Sequence, residues 1–355
     1  MTMSTRKNMS GLFMTQNENS SVNFTTSVLC FGEGSFLKVL AYVIILLVSL
    51  AGNSMTIAVV FRGRLHRSNV HFFLLNMAIA DLVVTVVYMP RMVVMMLYGN
   101  SWLVTGTFGL ILCRTVPFLH HMSILVSVFT ILGATLDRFF AMVFPLRNIV
   151  TRSIGKAMLV VIWLASAILR SPYVVTPVLK NIGSDIICSS NLQQFFGRHI
   201  ELYYYFLLGL YCFSFFLIML LYSVSILKLR RKKVVFNNTA QARREQASKK
   251  LLNMLIVILV CFILCWFMYF FALSILPRPL SCETRFFRFF LAHSNSALNP
   301  CILAVFNRRY RIGYKSFLKQ IIPCFKNTGR IVFSVQSKKN TLSVWSNYHI
   351  QMKAI

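Results

Sequence analysis

Charge of one sign is nearly missing from this chain: 355 residues hold 8 Asp and Glu against 37 Lys and Arg, and charged residues of both signs make up 13%. Soluble domains carry about a quarter charged residues. That scarcity, with 57% hydrophobic residues and a mean hydropathy of +0.68, excludes an ordinary soluble domain and places the chain in a bilayer. No cleavable leader is visible, because the stretch after Arg6 and Lys7 lacks a continuous apolar core; the first apolar run is expected to act as an uncleaved anchor. No internal repeat is present, which argues against a transporter built from paired halves. No set of nucleophile, base and oxyanion donors points to an enzyme. The net charge of +29 does not mark a nucleic-acid partner, since its basic residues alternate with apolar runs.

What is present are seven apolar stretches, near 37–61, 72–97, 110–136, 155–176, 202–227, 251–275 and 286–306. Each exceeds the roughly 18 residues that a helix needs to cross hydrocarbon, whereas barrel strands would be about half as long and alternating. The expected fold is an all-α membrane protein, a seven-transmembrane helix bundle with a short amphipathic eighth helix. Its expected parts are an extracellular glycosylated tail (1–35), the bundle (36–306), an amphipathic segment (307–324) and a disordered cytoplasmic tail (325–355).

Basic residues set the orientation. Arg62, Arg64 and Arg67 follow the first run, Arg138, Arg147, Arg152 and Lys156 surround the loop after the third, and Lys228 to Lys250 fill the loop after the fifth. Positive charge gathers on the cytoplasmic side, so the amino terminus is expected outside, in a multi-pass protein of the plasma membrane. The polar first 35 residues carry N-x-S/T acceptors at Asn8, Asn19 and Asn23, as an exposed tail would. A fourth acceptor, Asn237, falls in a loop assigned to the cytosol and is expected to stay unglycosylated.

Topology also sorts the nine cysteines. Cys113 and Cys188 both lie on the oxidising side and can tie the third helix to the loop after the fourth. Cys30 and Cys282 are candidates for a second link. Cys212, Cys261, Cys265 and Cys301 fall within spans and read as small packing residues. Cys324 follows the amphipathic segment and is a candidate for palmitoylation, which would make the chain a lipoprotein; a free thiol is the alternative.

Two carboxylates, Asp81 and Asp137, fall inside apolar runs, where an unpaired charge costs roughly 2.5 to 3.5 kcal/mol on insertion scales. The run LDRFFAMVFPL at 136–146 resembles the Asp-Arg-Tyr signature of rhodopsin-like (class A) G-protein-coupled receptors. In order along the chain, further matches are Gly52-Asn53, LNMAIADL at 75–82, Trp102 before Cys113, Trp163, Tyr222, FILCW at 262–266 and NSALNP at 295–300.

The resemblance implies a coupling switch of Asp137, Arg138, Phe139, Tyr222, Asn299 and Pro300, with an activation core of Phe262 and Trp266. It implies a sodium ion held by Asp81, Ser127, Asn295, Ser296 and Asn299, near Asn53; a hydrogen-bonded polar core without an ion is the other reading. No other cofactor is expected. The implied partners are an extracellular ligand, a heterotrimeric G protein and arrestin at the Ser- and Thr-bearing tail; the basic ends of helices 5 and 6 are expected both to face the G protein and, by their charge, to anchor on anionic membrane lipids.

Five residues depart from the family's pattern in ways that bear on the switch. Phe139 replaces the signature's tyrosine, Ser248 stands where many members place a glutamate that holds the arginine, Leu303 replaces the tyrosine of Asn-Pro-x-x-Tyr, and Ser214 and Met268 replace prolines. Leucine cannot make the hydrogen bond that Tyr222 would otherwise find.

The expected ligand pocket comprises Arg91, Arg114, His120, His121, Trp266, Tyr269, Arg288 and His293. With Arg170 and Arg285, five arginines crowd one end of the bundle. Each alone reads as a side chain snorkelling to headgroups, but together they favour acidic ligand groups. His120 stands where amine receptors carry an aspartate, which disfavours amines; each histidine reads alternatively as an interior hydrogen-bonding group. The pattern is most similar to the neuropeptide-receptor branch, so a peptide is the expected ligand. The alternatives are an acidic lipid, a nucleotide, or a receptor-like protein that binds without signalling.

Overall fold

Apolar runs surrounded by lipid must satisfy their backbone polar groups internally. In the computed structural model, which describes residues 36–144, 147, 149–183, 185–231, 239–270 and 281–321, they do so as seven helices long and apolar enough to cross a membrane. These are α1 (Phe36–Arg62), α2 (Asn69–Tyr98), α3 (Gly106–Val143), α4 (Arg152–Arg170), α5 (Ile200–Arg231), α6 (Thr239–Phe270) and α7 (Cys282–Phe306). An eighth, α8 (Arg308–Ile321), follows α7 after one non-helical residue, Asn307.

The helices bury their polar and small residues together with part of their apolar ones, and leave many large apolar side chains exposed. In α1 the buried positions Tyr42, Ser49, Gly52, Asn53, Thr56, Val59 and Val60 follow helical spacing, while Phe36, Leu37, Leu40, Ile44 and Leu47 are exposed. The same holds for Val160, Val161, Leu164 and Ile168 of α4. A surface of this kind is stable only against lipid, where helices associate through small and polar residues. Helix α3 is buried without a break from Met122 to Val128 and packs on α2, α4, α5 and α6.

Several helix ends lie beyond the apolar runs. Helix α3 starts at Gly106 and runs to Val143, carrying Asp137 and Arg138 inside its last turns. Helix α4 stops at Arg170, short of the expected 176, because Pro172 has no N–H to continue the ladder; a separate turn, Pro172–Val175, follows. Within α2, a π turn at Val84–Tyr88 precedes Pro90 and widens the helix where the proline ring would otherwise press on a carbonyl.

The segment between α4 and α5 forms an antiparallel hairpin, β1 (Pro177–Ile182) and β2 (Asp185–Ser190), turning at Gly183 with φ 60°. Cys188, paired with Leu179 in the hairpin register, is disulfide-bonded to Cys113 of α3. The α2–α3 connection is clipped to the same hairpin, with Trp102 N–H donating to Ile186 O at 2.6 Å. At the opposite end α8 folds back on α1 and α2. Tyr310 and Tyr314 are buried there, the Tyr314 hydroxyl lying 2.6 Å from Thr56 Oγ1 and the Tyr310 hydroxyl 3.1 Å from His71 Nδ1. Burial pushes the Tyr314 phenol up to about 12, so it is a neutral hydrogen-bonding group at physiological pH.

Of the four intramembrane cysteines expected as small packing residues only Cys265 is fully buried; Cys212 and Cys301 are exposed, which corrects that reading for those two. Cys282 is disulfide-bonded, and its expected partner Cys30 lies outside the described residues, as do Asn8, Asn19, Asn23, Cys324 and the tail from 325.

Candidate functional site

Polar groups inside the bundle form three tiers, taken here from the hairpin end to the α8 end. In the first, His120 is wholly buried and its Nε2 lies 2.9 Å from Nε2 of His293. The other ring nitrogen of His293, Nδ1, is bonded to the hydroxyl of Tyr42. The Tyr88 ring stacks on His120 at 3.8 Å and 14°. Four helices, α1, α2, α3 and α7, thus meet through one chain of rings. His121 points along a neighbouring path, 4.2 Å from the ring of Tyr173. Below them Tyr269, Trp266 and Phe262 pack in series along α6, with ring separations of 5.2 and 5.8 Å.

The arginines of this end divide in two. Arg91 lies over the Trp102 ring at 4.9 Å and donates to Ser101 O and Asn100 O, while Arg114 donates to Pro177 O at 3.3 Å; both serve the loops around the hairpin. Arg170 and Arg288 are 5% and 6% exposed and do not snorkel, which corrects the single-residue reading of both. Arg288 Nε donates to Tyr269 O at 3.3 Å, its guanidinium lying 4.5 Å from the Tyr269 ring centroid and 5.2 Å from that of Phe289. Arg170 Nη2 donates to the Tyr211 hydroxyl at 2.8 Å.

The middle tier surrounds Asp81, which is buried and accepts from Ser296 Oγ at 2.9 Å and Asn299 Nδ2 at 2.8 Å. Asn53 Nδ2 donates to Ser296 O at 2.9 Å, joining α1 to α7, and Thr85 Oγ1 donates to Asp81 O at 2.6 Å. Ser127 and Asn295 are buried with them. Among the described residues the oxygens Ser123 Oγ, Asn295 Oδ1 and Asn299 Oδ1 are buried without a hydrogen-bond partner. Such oxygens are rare in native interiors and call for an occupant. One carboxylate with neutral oxygens is the donor set that suits a hard monovalent cation, so the residues fit a sodium ion.

In the third tier Asp137 and Arg138 form a buried-edge ion pair, with Arg138 Nη2 at 2.6 Å and Nε at 3.0 Å from the same carboxylate oxygen. Asn69 Nδ2 donates to the other oxygen at 3.0 Å and to Val150 O at 2.7 Å, tying α2 to the carboxylate of α3 and to the loop ahead of α4. Tyr222 is buried with its hydroxyl 3.1 Å from Thr135 Oγ1. Leu303 packs into the apolar core. Phe139 rests half-buried against Phe140 at 5.4 Å, and Pro300 packs on Gly52. The Ser248 side chain lies outside the described ones. Ser214 Oγ donates to Leu210 O at 2.8 Å, the bond to the preceding turn expected of a serine in place of proline.

Sequence reading missed Tyr42, Tyr88, Tyr173 and Tyr211, each of which partners one of the expected or basic residues. Only Tyr88 carried a signal, two positions before Pro90 in a helical run. Trp163 Nε1 donates to Asn76 Oδ1 at 2.8 Å and Asn76 to Thr130 at 2.8 Å, a link from α4 through α2 to α3 that two of the matched motifs contain.

The family described as 7 transmembrane receptor (rhodopsin family) matches residues 52–303, from Gly52 to Leu303. Over 153 residues the chain is 32% identical to the gastrin/cholecystokinin type B receptor of Mus musculus, covering 42% of this chain and 33% of that receptor. Galanin receptor 2a of Danio rerio is 26% identical over 287 residues, 78% of this chain and 76% of its own length. The QRFP-like peptide receptor of Branchiostoma floridae is 27% identical over 133 residues, 37% of this chain and 34% of its own length. The chain thus spans about a third of the mouse receptor it matches. The family match extends over most of the chain and the seven helices place its motifs together in space, so the chain belongs to the rhodopsin family of seven-transmembrane receptors.

Proposed function

We propose that this protein is a plasma-membrane receptor, amino terminus outside, that binds an extracellular peptide at the hairpin end and activates a heterotrimeric G protein at the α8 end. The observation that carries this reading is the Arg138–Asp137 pair, a buried-edge cation held by a carboxylate that Asn69 locks in place. A cation so held is a two-position element: bound inside, it keeps the end of α3 closed, and released, it becomes a donor for a protein partner. The ligand assignment rests on relatives named for peptides and on the aromatic and basic residues of the hairpin end. Arrestin at the carboxyl tail, glycans at Asn8, Asn19 and Asn23, and a palmitoyl group at Cys324 belong to the same proposal.

Sodium would be held by Asp81, Ser127, Asn295, Ser296 and Asn299, and when bound it supplies a positive charge against a buried carboxylate. The chain's own part is to keep Asp81 oriented through Ser296 and Asn299, both on α7, so that a shift of α7 changes what Asp81 touches.

The test is ligand-driven nucleotide exchange in cells at matched surface expression, with peptide pools as probes. Arg138→Ala removes a charge-assisted contact of about 1.5–3 kcal/mol and is expected to lower exchange about 10-fold or more. Leu303→Tyr supplies the hydroxyl that the Asn-Pro-x-x-Tyr signature carries and is expected to raise it about 2- to 10-fold. A response that survives Arg138→Ala, or silence of the wild type with every G-protein class, would sink the signalling reading.

A further inference from the structure

Arg170 is set apart from every other arginine of the hairpin end. Its side chain is enclosed, yet among the described residues no carboxylate lies within ion-pairing distance of it. The described carboxylates of that end are engaged elsewhere: Glu283 pairs with Lys38 at 2.5 Å, and Asp185 and Glu201 are exposed. The surroundings of the guanidinium are phenolic: the Tyr211 hydroxyl is bonded to it, the Tyr211 ring centroid lies 6.0 Å away, and the Tyr203 hydroxyl donates to O of the preceding residue, Leu169, at 3.0 Å. Its Nε is buried and has no hydrogen-bond partner.

A buried cation without a counter-ion is destabilising, and retaining one is explained when a partner arrives to pair with it. Position supports this. Arg170 of α4 lies 6.0 Å from the Tyr211 ring centroid and Arg288 of α7 lies 4.5 Å from that of Tyr269, so each guanidinium is set among aromatic rings of the bundle interior. Arg288 already lies on the rings of Tyr269 and Phe289 and bonds Tyr269 O, whereas Arg170 keeps a donor in reserve.

We propose that Arg170 is the counter-charge for a carboxylate of the bound peptide, which would accept from Nε and from the guanidinium edge beside Tyr211. The proposal deepens the peptide-receptor reading and rests on it for the source of the acid. One guanidinium among phenols matches a carboxylate's single negative charge and supplies neutral O–H donors to its remaining lone pairs. A phosphate dianion would call for a second cation turned toward the same point.

The test uses the full-length receptor, purified in phosphatidylcholine nanodiscs and, separately, on cells. Arg170→Met removes the charge and keeps an unbranched chain. Ligand-free Arg170→Met is expected to melt about 2 °C or more above wild type, because a buried ion without a partner has been removed. The second arm uses pools of synthetic peptides, each made with its acids intact, with Asp and Glu replaced by Asn and Gln, and with the terminal carboxylate amidated. Peptides active on wild type are expected to lose on the order of 30-fold in potency in one neutralised version, and that preference is expected to vanish in Arg170→Met. Loss on amidation assigns the acid to the peptide's carboxyl terminus, and loss with Asn or Gln to a side chain.

A lower melting temperature for Arg170→Met makes the arginine structural and overturns the proposal. Active peptides that tolerate neutralisation of every acid overturn it while leaving the receptor a peptide receptor. If no peptide pool binds and acidic lipids or nucleotides do, the peptide reading fails and the proposed source of the carboxylate falls with it. If nothing binds, the melting comparison alone decides: a rise upholds Arg170 as an uncompensated charge, and a fall removes it.

Discussion

Asp81 shows how much a single carboxylate can organise. It takes donors from two residues of α7, and in the expected ion set Asn295 Oδ1 and Asn299 Oδ1 remain without hydrogen-bond partners among the described residues. A bound cation would satisfy them and would favour the folded receptor by mass action, about 1 kcal/mol when sodium stands at roughly four times its Kd. Replacing sodium with choline is therefore expected to lower the melting temperature of the wild type by about 2 °C and to leave Asp81→Asn unmoved. Equal shifts in both proteins would assign the polar core to hydrogen bonding alone. Asp81 and Asp137 were legible in the sequence because a carboxylate inside an apolar run must have partners wherever the helices go. Arg170 was not, since snorkelling and burial look identical one residue from a helix end; the choice depends on which way the helix faces, and that is set by packing. His120 and His293 were legible as polar intruders, but Tyr42, 251 residues from His293, carries nothing that marks it as a partner.

At the scale of the helix, close approach depends on single missing carbons. A Cβ at Gly52 would lie 2.5 Å from Pro300 Cγ and 2.8 Å from Pro300 Cβ, so any side chain there forces α1 away from α7. Overpacking of this kind costs about 1–3 kcal/mol. Gly52→Ala is expected to lower the melting temperature by about 2 °C or more, whereas Gly209→Ala, at an exposed site of α5 with nothing within 4 Å, is expected to be neutral or slightly stabilising. A thermal scan of both purified variants checks the pair, and equal behaviour would mean that α1 floats freely against α7. The seven helices were plain in the sequence because hydrocarbon leaves no other solution for long apolar runs. The hairpin Pro177–Ser190 was not, because its strands face loops and solvent and lack a two-residue alternation. Nor was the π turn ahead of Pro90, whose residues Val84–Tyr88 differ in no way from helical neighbours.

For the molecule as a whole, orientation is the property on which every functional statement depends. The proposed orientation, read from the basic residues, puts the α8 end inside, and the four acceptor triplets lie on both sides of that assignment. Expressed in cells, the wild type is expected to lose apparent mass on treatment with an N-glycosidase. A triple Asn8, Asn19, Asn23→Gln variant is expected to show no such change, and Asn237→Gln is expected to behave as wild type. A glycan lost only in Asn237→Gln would invert the receptor. One feature of the hairpin end also bears on the chain's history. Tyr42, Tyr88, His120 and His293 meet one another at the junction of four helices, so replacing any one leaves a polar ring stranded in the interior. Lineages of this receptor should then keep the four together or exchange them together for an apolar set, and a sequence carrying three of the four should be rare.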